Sequence, residues 1–274
     1  MPRPRIEFVQ SQLIPWRALA LDGVQPGADA RLLSEDRESG ARSLVVRYPP
    51  GATAPGGALG ADDEFLVLDG ELTIGGLAYP AMTYAHFPAG FDAGGRSSPN
   101  GAIVLEFFSG APVPAARPVG WDERRLVRHK NLYEVPYTGN FHPEFPPGAG
   151  RKMLYQDPLT HDTTWVLGTM PMRWAERSEV HPTVEEMYLL SGEVHGDRGV
   201  MRPGAYFWRP PGVPHGPFGT QTGNLYFFRT KGGLLATTYV EPEKPFRWRP
   251  PYDAVLPPEL EAARGEVQGV AACW

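Results

Sequence analysis

Four side chains in the C-terminal half have the types and spacing to hold a metal ion. They begin with Glu179-x-His181-x3-Glu185, closed by Gly192, and end with Gly204-x5-Pro210-x-Gly212-x2-His215. On an extended strand residues two apart face the same side, so Glu179, His181, Thr183 and Glu185 share one face while Val180 and Glu186 share the other. Parity therefore selects Glu185 over Glu186. Gly192 marks a turn, Gly204 opens a new strand, and Pro210-Pro211-Gly212 bends the chain so that His215 can reach the same mouth. Two imidazoles and two carboxylates converging in this way suit one mononuclear divalent ion. If Glu179 coordinates with Glu185, the two carboxylates neutralise the ion and favour the higher oxidation state of a redox metal.

The elements that must position these groups are strands. Of 274 residues, 32 are Gly and 31 are Pro, which disfavours long helices and punctuates short apolar runs. The chain also repeats itself. PGADARLLSED from Pro26 returns as PGAGRKMLYQD from Pro147, DEFLVLDGE from Asp63 as EEMYLLSGE from Glu185, and Pro88-Ala89-Gly90 as Pro210-Pro211-Gly212. The offset drifts only from 121 to 122, a single loop insertion. SLVVRY, EFLVLDGELTI and IVLEFF read as strands of the first copy, and TTWVLGTM, EMYLLSGEV and LYFFRT as strands of the second. The partition expected is a first barrel over 1–115, a connector over 116–145, a second barrel over 146–250 and a tail over 251–274. Proline residues of the connector include Pro118, Pro143 and Pro146. The tail carries a short helix from Pro257, with Leu260, Ala263 and Val267 on one face.

These motifs resemble the two signature motifs of the cupin superfamily, a double-stranded β-barrel. Glu179 stands where the family's first motif has a histidine, Arg173 where it opens on glycine, and Gly219 where the second motif closes on asparagine. With the repeat, the chain resembles a bicupin over about 210 residues. The resemblance implies an all-β fold of two tandem jelly-roll-like barrels with metal on Glu179, His181, Glu185 and His215. In the first copy Gly57, Leu59, Asp63 and Ala93 stand at the four ligand positions, so that barrel is expected to hold no metal, and its His86, equivalent to Trp208, is expected to be structural.

Cupins include dioxygenases, decarboxylases, isomerases, lyases and non-catalytic binders, so the pocket must choose among them. Met187, Leu189, Trp165, Tyr206, Trp208, Phe218, Tyr226, Phe227 and Phe228 suggest an apolar, aromatic mouth. Arg173 and Arg229 would each need a carboxylate partner if turned inward. An aromatic pocket over a metal with open positions fits O2 chemistry on a small apolar carbonyl or phenolic compound. The expected function is a non-haem Fe(II) dioxygenase, with Mn, Zn or Ni as alternative ions and Glu179, His195 and Arg173 as catalytic residues. A lyase or isomerase in which Glu179 or His195 moves a proton is the rival, and a non-catalytic small-molecule binder is the third reading.

The net charge of -5 offers no electrostatic footprint for nucleic acid or an anionic membrane. The expected partner is a small-molecule substrate, with room for a homodimer. Cys273 is the single cysteine, so no disulfide framework exists. Arg17 and Asp22 interrupt the most apolar stretch near the start, against a secretory core, and a cytoplasmic location is expected.

Overall fold

Runs rich in β-branched and aromatic residues fold as strands, and the Gly- and Pro-rich segments between them turn the chain. The computed structural model describes residues 3–18, 27–115, 120–139, 145, 147–267 and 274, so Asp22, Pro26, Pro118, Pro143, Pro146 and Cys273 lie outside the described residues. Among the described residues the paired strands are antiparallel, and helical structure is confined to three short 3-10 elements, Ser11–Leu13, Glu123–Arg125 and Pro258–Ala263. The fold is all-β, built from double-stranded β-helix barrels.

The chain forms two compact units, Met1–Pro4 with Pro15–Val135, and Arg5–Ile14 with Pro136–Trp274. In the first unit one sheet runs in the order Val127–Asn131, Thr83–Phe87, Asp63–Ile74, Ala102–Phe108, Arg42–Tyr48, Asp29–Glu35 and Arg17–Ala18. The far end of Asp63–Ile74 leaves that sheet to pair with Leu77–Pro80 and Arg96–Ser98, and the latter pairs with Ala52–Ala54. Val46, Phe65 and Val104 of the first sheet share one core with Leu72, Ile74 and Tyr79.

The second unit repeats this order. Its main sheet runs Ile6–Gln10, Ala205–Arg209, Val184–Gly192, Asn224–Lys231, Thr163–Thr169 and Ala149–Gln156, and its smaller one Arg173–Trp174, Gly219–Thr220, Val194–Gly196 and Gly199–Met201. Phe8, Trp165, Met187, Leu189, Phe207 and Phe228 pack with Val194 and Met201 in its core. The sequence repeat is thus a structural repeat. Gly70 and Gly192 occupy equivalent turns at φ 71° and 76°, and a Cβ on either would run into the carbonyl oxygen of Gly101 or of Gly223. Only glycine fits such a left-handed, close approach without strain.

Two features differ from the sequence expectation. The outer strand beside Thr83–Phe87 is Val127–Asn131, out of the stretch read as connector, while the equivalent strand beside Ala205–Arg209 is Ile6–Gln10 from the beginning of the chain. Residues 5–14, placed by sequence order with the first barrel, therefore belong to the second unit. The element from Pro257 is a 3-10 turn, Pro258–Ala263, whose Leu260 and Ala263 are buried three residues apart while Val267 lies beyond it. Three residues per turn puts the two on one line, and Gly265 follows the turn.

Candidate metal centre

Backbone pairing brings the two motifs together. Glu179 N–H donates to the His215 carbonyl at 2.9 Å, His215 N–H returns a bond to the Glu179 carbonyl at 3.0 Å, and Gly212 N–H reaches the His181 carbonyl at 2.9 Å. Residues 181–183 lie outside any strand, so this pairing, more than an unbroken strand, aligns Glu179 and His181 with Glu185 at the start of Val184–Gly192. Glu186 points the other way and accepts from the Tyr206 hydroxyl at 2.6 Å and from Arg229. The first unit repeats that pair as Glu64 and Tyr84, 2.7 Å apart, which identifies it as part of the scaffold.

Glu179, His181 and His215 offer ligand atoms within 4.8 Å of one another. His181 Nδ1–H donates to the Ala236 carbonyl and His215 Nδ1–H to the Val213 carbonyl, each at 3.0 Å, which leaves both Nε2 atoms as acceptors. His181 Nε2 is buried with no hydrogen-bond partner. Burial, and next the nearby Arg209 guanidinium, push the His215 imidazole down to about 3, so it is neutral at physiological pH. Neutral imidazoles with free Nε2 atoms are the state a metal requires. Burial, and next the Glu185 carboxylate, push the Glu179 carboxyl up. A cation between the two carboxylates would relieve that repulsion.

Glu185 stands beside the three, with Oε1 3.6 Å from His181 Nε2 and Oε2 3.4 Å from His215 Nε2. Burial works to raise its carboxyl, yet it is held low, with the Arg209 guanidinium the cation bonded to it. Its Oε2 accepts from Arg209 Nη1 at 2.8 Å, and Arg209 Nε donates at 2.8 Å to Glu7 on Ile6–Gln10. A two-His, one-carboxylate set with Glu185 tied to an arginine is one arrangement the site allows; Glu185 Oε1 as a fourth ligand is the other.

The cavity over these groups measures about 90 Å³ and is lined by Trp165, Phe207, Phe218, Tyr226 and Phe228 among others. Arg173 also lines it, with Nε bound to the Pro147 carbonyl at 2.9 Å and its guanidinium 5.4 Å from the Phe145 ring. His195, expected as a base, is not among the lining residues. Val194 takes the inward position of that short strand, and His195 faces away, 3.0 Å from Glu193 and edge-on to Trp248. Tyr206, Trp208, Phe227 and Arg229 likewise lie off the cavity, with Arg229 held by Glu186. Sequence reading missed Arg209 and Phe207, which alternate with Tyr206 and Trp208 on Ala205–Arg209; the register that sets Arg209 opposite Glu185 shows only in the folded chain.

A family profile described as a domain of unknown function, DUF4437, matches residues 7–237. The chain belongs to the DUF4437 family. No curated protein matches this DUF4437 chain. Among solved structures it is similar to a candidate dioxygenase from Nostoc punctiforme, with 21% identity over 88% of this chain and 92% of that one and a TM-score of 0.77. The protein Ylba from E. coli superposes with a TM-score of 0.61 at 14% identity, covering 83% of this chain and 90% of that one. Oxalate decarboxylase from Bacillus subtilis gives 0.56 at 13% identity, covering 85% and 78%. At these identities the likeness establishes the cupin fold of this DUF4437 protein.

Proposed function

We propose that the second barrel holds one divalent metal ion on His181, His215 and Glu179, with Glu185 adjoining, and that the protein is a non-haem iron dioxygenase of a small, mainly apolar carbonyl or phenolic compound. The observation that carries the metal is the buried, partnerless Nε2 of His181, facing carboxylates with its Nδ1–H already committed to a carbonyl. Such an atom is costly unless something binds it. When bound, iron in such a site supplies Lewis acidity and places for O2 and for a substrate oxygen.

The chain's own residues do the rest. Trp165, Phe207, Phe218, Tyr226 and Phe228 exclude water from the reacting centre and give the substrate an apolar wall. Glu179, whose side chain keeps 23% of its exposure, lines the cavity beside the two histidines, where its carboxylate takes the proton that a substrate hydroxyl or activated C–H gives up. Arg173 lies on the same wall, where its charge orients an electron-rich substrate oxygen. The position of Glu179 also favours a second reading, a metal-assisted lyase or isomerase with Glu179 as the proton carrier.

Elemental analysis of the purified protein combined with O2 uptake against β-dicarbonyls and catechols separates them. Stoichiometric iron with substrate-dependent O2 consumption is the expected result. Substrate turnover that proceeds equally well without O2 would replace the dioxygenase with the lyase or isomerase, and a protein that takes up no divalent metal would overturn both.

A further inference from the structure

The stretch of chain that carries Glu179 and His181 alternates along the cavity of the second barrel. Arg173, Ala175, Arg177, Glu179 and His181 line it, while the residues between them do not. Exposure falls toward the histidine: Arg177 is exposed, the Glu179 side chain keeps 23% and that of His181 5%. Arg177 thus stands at the open end of the cavity and the ligand atoms at its closed end.

Charge on this wall is unbalanced. Arg209 is taken by Glu185 and Glu7, which leaves Arg173 and Arg177 against the single carboxylate of Glu179. Arg177 makes no ion pair among the described residues. Its Nη2 donates to the Tyr239 carbonyl at 2.9 Å and its guanidinium lies 5.4 Å from the Tyr239 ring, contacts that hold the side chain and leave Nε and Nη1 to donate elsewhere. Burial works against the charge on Arg173, so an anion beside it is favoured. A planar guanidinium matches a carboxylate, and a divalent ion on the histidines would add to the attraction.

Size narrows the class. Two residues span at most about 7 Å, so one short molecule reaches from Arg177 to the atoms beside Glu179. The cavity of about 90 Å³ is smaller than the engineered one of about 150 Å³ that takes benzene, so an acyclic compound suits it better than a ring.

We propose that the substrate is a short oxo acid, whose carboxylate pairs with Arg177 and Arg173 while its carbonyl oxygen lies toward His181 and His215. This rests on the reading of the cavity as the reaction site, and it makes Arg177 a specificity-determining residue.

The test titrates acetoacetate and its neutral analogue acetoacetamide into the chelator-treated full chain by calorimetry, so that the arginines are read without metal. Acetoacetate is expected to bind about tenfold more tightly. Arg177→Met, at an exposed position, is expected to reduce that preference to about twofold or less, and Arg177→Lys, which keeps the charge without the fork, to give an intermediate value. Equal binding of the two compounds by wild type, or a preference that survives Arg177→Met, would overturn the inference. The expected preference in a protein that consumes no O2 would support it while the dioxygenase falls; O2 uptake with no preference would overturn this inference alone.

Discussion

Replacing Arg209 by Met removes a guanidinium that joins the N-terminal strand to the candidate metal centre. Arg209 is 3% exposed, and its contacts with Glu7 and Glu185 are both 2.8 Å. Burial works against its charge, but Glu7 and Glu185 outweigh burial and keep it protonated. At an effective dielectric of about 20 and a charge separation of about 4 Å, each pair gains about 4 kcal/mol of attraction, most of which desolvation offsets. The variant is decided by what is left behind. Glu7 and Glu185 are 2% and 7% exposed, and only Glu7 keeps another cation, Arg5 at 3.1 Å. Stranding a buried charge costs about 3–5 kcal/mol, which corresponds to a fall of about 10 °C in melting temperature for a unit of this size. Urea unfolding of chelator-treated protein, followed by tryptophan fluorescence, reads the loss. Adding Glu185→Gln to Arg209→Met is expected to recover about 1–2 kcal/mol by removing the stranded charge. A loss below about 1 kcal/mol, or no recovery in the double variant, would refute the reasoning.

His181→Ala is expected to abolish stoichiometric metal and the rise in melting temperature on adding Fe(II) or Mn(II), while Glu179→His keeps metal and raises the site charge by one; differential scanning fluorimetry and elemental analysis read both. Gly192→Ala and Gly70→Ala are each expected to cost about 1–3 kcal/mol in urea unfolding, because the added Cβ meets a backbone carbonyl in a left-handed turn. Asp63 holds its proton in the folded barrel up to about 7, against 3.8 for the ordinary group, so the folded state binds more protons between those values. Stability of the first unit therefore falls as pH rises through that window, at most about 1.4 kcal/mol per pH unit, and Asp63→Asn should flatten the slope in unfolding curves between pH 4.5 and 7.5.

The repeat was legible because strand spacing survives changes of side chain. DEFLVLDGE and EEMYLLSGE differ at most positions but share the glycine that the turn demands, and each occupies the third strand from the same end of its sheet. His181 and His215 were legible as a pair since motif spacing fixes which backbone segments meet. His195 was misplaced because parity within a three-residue strand cannot be read without knowing which neighbour faces in. Arg209 was missed since a lone arginine in an apolar run gives no local sign of its partner, and Glu7 lies about 200 residues away in sequence. The strand Ile6–Gln10 was hidden for the same reason: its sequence, IEFVQ, says strand but not whose sheet it joins.

That strand has a consequence for how the protein is made. Ile6 pairs with Trp208 and Gln10 with Ala205, contacts that close a loop of roughly 200 residues. During synthesis Ile6–Gln10 leaves the ribosome before all its partners, and it must wait, with apolar side chains and open backbone groups exposed, while the whole first unit is made and folded. An unpaired strand of this kind is an edge that another nascent chain can capture. The first unit carries no such debt, since Val127–Asn131 follows Thr83–Phe87 within one short stretch. The barrel bearing the candidate metal centre is thus sealed by a strand made well before the partner it pairs with.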